Sequence, residues 1–144
     1  MGYTSDLTAG LAQLLDDENI GAYRPNGPPF TSADTAIVLG NMPSSPDRVI
    51  CLNPYPVEDT GLSNAITAVQ FRFRAGADPA AVLDMADAVF DALDNREHFT
   101  LGTVPVDLAW RFSQLPWGAD TLGREELTAN YYLRTIRAAT YAYE

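Results

Sequence analysis

The chain has no lysine, one cysteine (Cys51) and one histidine (His98) among its 144 residues. A lone thiol excludes an internal disulfide and a cysteine-based zinc site, and a lone imidazole excludes a His-rich metal constellation. Without lysine there is no Schiff-base amine and no ammonium to clamp a phosphate. All nine basic residues are arginine, which we read as the coding bias of a GC-rich genome. The glycines are scattered, so there is no phosphate loop, dinucleotide fingerprint or nucleophile elbow. No apolar run approaches the roughly 20 residues of a membrane span. The first fifteen residues hold Asp6 and no basic residue, unlike a secretory signal, so synthesis in the cytoplasm is expected.

Acidic residues outnumber basic ones by 19 to 9, for a net charge of −10. That sign opposes binding to nucleic acid or to an anionic membrane. A chain of this length suits a single domain over residues 1–144, burying roughly 68–70% of the surface its unfolded form exposes. There is no internal repeat or low-complexity segment.

Val69-Gln70-Phe71-Arg72-Phe73-Arg74 alternates strictly between apolar and polar, which predicts a strand with Val69, Phe71 and Phe73 buried and Gln70, Arg72 and Arg74 solvated. Asp78 and Pro79 then suit the N-cap and first position of a helix. From Ala80 to Asp94, Val82, Ala86, Val89, Phe90 and Leu93 line one side, and Asp84, Asp87, Asp91 and Asp94 the other. That acidic stripe is expected to be a solvated face.

A first helix is predicted from about Ser5 to Glu18 on the stripe Leu7, Leu11, Leu14, Leu15, ending at Gly21. Asp16-Asp17-Glu18 stands at the unfavourable end of its dipole, with Arg24 placed to offset it. The Pro/Gly-rich run Arg24 to Thr35 reads as a surface loop. Ala36 to Leu39 and Val49 to Leu52 are β-prone, and the turn chemistry of Met42 to Asp47 predicts a loose β-hairpin. Asn53 to Asn64 is expected to be a long polar loop. Val104, Val106, Leu108, Trp110 and Phe112 alternate with polar or small residues and predict one buried strand face, with Pro105 at its start or on an edge. Gln114 to Gly123 reads as a loop, and Glu126 to about Ala138 as a last strand around Leu127, Tyr131, Leu133 and Ile136.

The expected fold is α+β: a single, mostly antiparallel sheet of about five strands with two helices packed on one face. The uncovered face carries Arg72, Arg74, Asp107 and Arg111. His98 is expected in a loop or cap, and Cys51 as a small buried hydrophobe. The sequence predicts no catalytic residues, cofactor or metal, and hence a protein that is not an enzyme.

Leu39-Gly40-Asn41-Met42-Pro43-Ser44-Ser45-Pro46-Asp47 is similar to the "G-x-x-P-x-x-P-D" hairpin of the tail terminator (tail-completion, minor tail or minor capsid) proteins of long-tailed bacteriophages. Asn53-Pro54-Tyr55-Pro56, the Val69 to Arg74 strand and the Ala80 to Leu93 helix also resemble that family, over roughly Leu7 to Ala138. The resemblance implies a virion neck protein made in the host bacterial cytoplasm. It implies a homohexameric ring that caps the head-proximal end of the tail tube, stops its growth and joins the tail to the head. Its partners would be copies of itself, the tail tube protein and a head-completion or stopper protein. DNA would pass through an acidic channel without specific binding. Candidate contact residues are Arg72, Arg74 and Arg111, either solvated or paired with acids of a neighbour. Trp117 beside Leu115 either folds onto the core or anchors a neighbour, and Tyr55 stands in a loop long enough to reach one. Another head-tail connector and, in a different class, a cytosolic small-ligand or protein-binding module are the alternatives.

Overall fold

The computed structural model describes residues 2–143. Its elements are α1 (Tyr3–Asp17), β1 (Ala22–Tyr23), β2 (Thr35–Leu39), β3 (Arg48–Asp59), β4 (Asn64–Arg74), α2 (Pro79–Leu93), β5 (Arg96–Leu101), β6 (Val104–Ala119) and β7 (Glu125–Ile136). The strands form one sheet in the order β1-β2-β3-β4-β7-β6-β5.

The α+β class matches the expectation, but the sheet has seven strands and is mixed. β1 to β3 run parallel, and the remaining pairs are antiparallel. The expected β2–β3 hairpin is a parallel pair, with Thr35 opposite Arg48 and Leu39 opposite Leu52. Residues 40–47 must therefore run back along the whole of β2, about 17 Å, which is within the reach of an extended segment of that length. Turn-forming residues such as Pro43 and Pro46 suit this irregular crossover as well as they suit a hairpin, so local chemistry did not separate the two.

The Asn53 to Asn64 segment is mostly strand: β3 continues to Asp59 and pairs with β4 across a bulge between Pro56 and Glu58. β6 likewise extends to Ala119, through the segment expected to be a loop. His98 lies in β5, an edge strand that periodicity did not reveal because its burial does not alternate cleanly.

Both helices cover one face. α2 starts as predicted, with the Asp78 carboxylate accepting from the Ala80 amide at 3.0 Å and Pro79 at the first position. Val82, Met85, Ala86, Val89 and Leu93 are buried, while Asp84, Asp87 and Asp91 are exposed. α1 ends at Asp17 with Glu18 as its cap, close to the expected end, but Asn19 and not Gly21 takes the left-handed conformation (φ 61°) that stops it. Arg24 does not offset the acids there; it pairs with Asp34. Instead, Asp16 accepts from the Tyr23 amide and Glu18 faces Arg96.

The core lies between these helices and the sheet's inner face. Phe71 stacks on Phe73 at 5.8 Å and meets Tyr131 edge-on at 5.2 Å. Each of the two phenylalanines contributes about 1.5–3 kcal/mol on full burial. α1 packs against β1 and β2 at one edge of the sheet and against β5 at the other, so the sheet curls around it.

Candidate functional site

The sheet's outer face divides in two. Over β2 and β3, the crossover loop and the segment before β2 fold down, and Phe30, Val38 and Met42 pack on Ala36, Val49 and Cys51. This half is covered, contrary to the expectation of a sheet solvated on one side. Burial pushes the Cys51 thiol up from its ordinary range, as suits a packing residue.

Arg74 explains how the crossover is held. It points outward from β4, yet its side chain is buried under the loop and donates to the carbonyl oxygens of Pro46 (2.7 Å) and Asp47 (3.0 Å). Arg124 donates to the Ser44 carbonyl at 2.6 Å and to the Asp120 carboxylate at 2.9 Å. Two buried guanidiniums thus pin a loop that has no regular structure. Arg74 is therefore a structural clamp, not a solvated side chain.

Over β7 and β6, the outer face is bare and aromatic. Tyr132 stacks on Phe112 with ring centroids 4.5 Å apart and meets Trp110 edge-on at 5.7 Å. Arg134 lies 5.6 Å over Trp110, and Arg72 lies 5.2 Å over Trp117. Arg72 also pairs with Glu126 at 2.6 Å. Phe112, Leu115 and Trp117 remain 62%, 62% and 58% exposed. Tyr55 borders the patch, its hydroxyl donating to Asn130 Oδ1 at 2.9 Å.

The structure thus brings Tyr55, Arg72, Leu115 and Trp117 onto one face and separates Arg74 and Arg111 from them. Trp117 does not fold onto the core. Arg111 is on the opposite side of the sheet, 4.3 Å over the Phe90 ring of α2, with its amide donating to Asp94. The cause is a bulge between Val106 and Leu108, which shifts the phase of β6. Ala109 enters the core, and Leu108, Trp110 and Phe112 turn outward, contrary to the expected single alternation. Trp110, Phe112, Tyr132 and Arg134 are members of the patch that sequence reasoning missed; small, apolar Ala109, out of phase, was the one sign of them.

A groove of 590 Å³ beside the start of α1 is lined mainly by Tyr3, Thr8, Leu39, Leu52 and Pro54, with Arg137 as its charged group. Arg137 lies 4.4 Å over the Tyr3 ring. Among the described residues no group of three or more His, Cys, Asp or Glu is placed to hold a metal ion, and no helix is long and apolar enough to cross a membrane.

The fold is shared with a chain of the virion of a native gene transfer agent (GTA) particle, at a TM-score of 0.65 and 16% identity, covering 92% of this chain and 96% of that one. At that identity the likeness is one of fold. No curated protein matches the sequence at a significant level. The family model described as bacteriophage tail terminator protein matches residues 14–135, and on that match over most of its length the chain belongs to the bacteriophage tail terminator family.

Proposed function

We propose that this protein is a structural component of the virion that assembles as a hexameric ring on the head-proximal end of the tail tube, stops tube growth and presents a surface to the head. The family supports the place in the tail. The bare aromatic face of β6 and β7 supports assembly. Large, rigid aromatic side chains next to arginines have the composition of buried contact surfaces, and an apolar patch left open on an isolated copy marks an interaction site.

The negative charge suits a channel through which DNA slides without being gripped. The tail tube protein and a head-completion or stopper protein are the partners this reading assigns to the two rims of the ring.

Negative-stain imaging of the purified protein, alone and mixed with tail tubes, tests the proposal. Closed annular particles seated at one end of the tubes are the expected result. Tubes that remain bare, or that lengthen unchecked in its presence, would overturn it.

A further inference from the structure

Resting on the ring reading, we infer that neighbouring copies meet head to tail, the aromatic face of one copy receiving the outer surface of α2 from the next. That surface carries one large exposed apolar residue, Leu83, at 48%. It is flanked by Asp84, Asp87 and Asp91, which are exposed and have no ion-pair partner among the described residues. The aromatic face offers the complement. Arg134 is exposed on it, held over the Trp110 ring, with no carboxylate partner among the described residues. A guanidinium already held over an indole loses less freedom on meeting a carboxylate than one free in solvent.

The two surfaces lie on opposite sides of one sheet, so they cannot meet within a copy. Between copies they form a heterologous contact that repeats, as a ring requires. A face-to-face pairing of two aromatic surfaces would instead bring two arginine-bearing faces together and leave the aspartates unmatched. Chains of charge −10 repel one another, which favours the contact that brings arginine to aspartate.

Site-directed cross-linking tests this on protein assembled with tail tubes. Leu83→Cys and Leu115→Cys proteins are treated with a short bis-maleimide, separately and mixed in equal amounts; Cys51 is buried and does not compete. Linked pairs in the mixture, and none from either protein alone, are expected. Arg134→Glu should weaken association roughly tenfold, and Asp87→Arg in the same chain should restore it. Dimers from Leu115→Cys alone, or rings visible by negative stain that do not cross-link in the mixture, would overturn the head-to-tail contact while sparing the ring. Absence of any ring, with or without tubes, would sink both.

Discussion

Gly10 of α1 faces Gly102 in the turn between β5 and β6 so closely that a β-carbon on Gly10 would overlap the Gly102 amide nitrogen and the Leu101 backbone. One turn of helix away, the Asp6 carboxylate accepts from the amide and hydroxyl of Thr103. Gly102 has φ +60°, and a β-carbon there would strike Asp6. This contact lets α1 touch both edges of the sheet. Gly10→Ala should therefore cost about 1–3 kcal/mol, because backbone on the far side cannot move aside as a side chain can. Urea unfolding checks it, and Ser5→Ala on the exposed side of α1 serves as the neutral control.

Tyr131 is wholly buried beneath α2, and its hydroxyl has no hydrogen-bond partner among the described residues. Burial pushes this phenol well above its ordinary range. Tyr131→Phe removes an unsatisfied polar atom while keeping the ring, so it should leave stability unchanged or raise it by about 1–3 kcal/mol. A fall in the thermal midpoint would show that the hydroxyl is satisfied after all.

Arg74→Met should leave the Pro46 and Asp47 carbonyl oxygens without their donors, at a cost of about 1–3 kcal/mol. The effect should be local first. Amide hydrogen exchange is expected to rise in residues 40–47 and in β2 while α2 stays protected. Uniform acceleration across the chain would refute the clamp.

Hydrogen bonds hold several carboxyls below their ordinary value of 3.8: Asp120 through the Arg124 amide first, Asp6 through the Thr103 hydroxyl first, and Asp34 through the Thr31 amide first. A depressed folded pKa means that the unfolded chain binds more protons in this window, so stability rises with pH there. The contribution is complete above the ordinary carboxyl pKa and is lost as pH falls below 3.8 through the folded values. Urea midpoints between pH 5 and pH 2.5 should show this limb, and Asp120→Asn should flatten it.

Trp117→Ala should lower the assembled mass seen by light scattering while shifting stability by no more than about 1 kcal/mol, since the residue is 58% exposed and lies outside the buried core. An unchanged assembled mass would remove Trp117 from the contact.

Period and capping made α2 legible: Asp78, Pro79 and the apolar stripe are where the residues place them, except that Phe90 is only half-buried. The inner phase of β4 was legible for the same reason, as Val69, Phe71 and Phe73 are fully buried. What escaped depended on partners distant in sequence. The crossover that lets Ala36 to Leu39 and Val49 to Leu52 run parallel is held by Arg74 and Arg124, which reach it from β4 and from the β6–β7 turn. The candidate patch was half legible: Trp117, Leu115, Arg72 and Tyr55, named from the sequence, share one face, but the bulge after Val106 hid Trp110 and Phe112.

The sequence by itself determined the net charge, the two helices and the central strands, because composition and local periodicity act through near neighbours along the chain. Only the tertiary structure decided strand direction, which arginines are buried and which aromatic rings face outward. Those outcomes depend on a crossover pinned from afar and a single-residue change of phase, and neither leaves a periodic trace in the residues themselves.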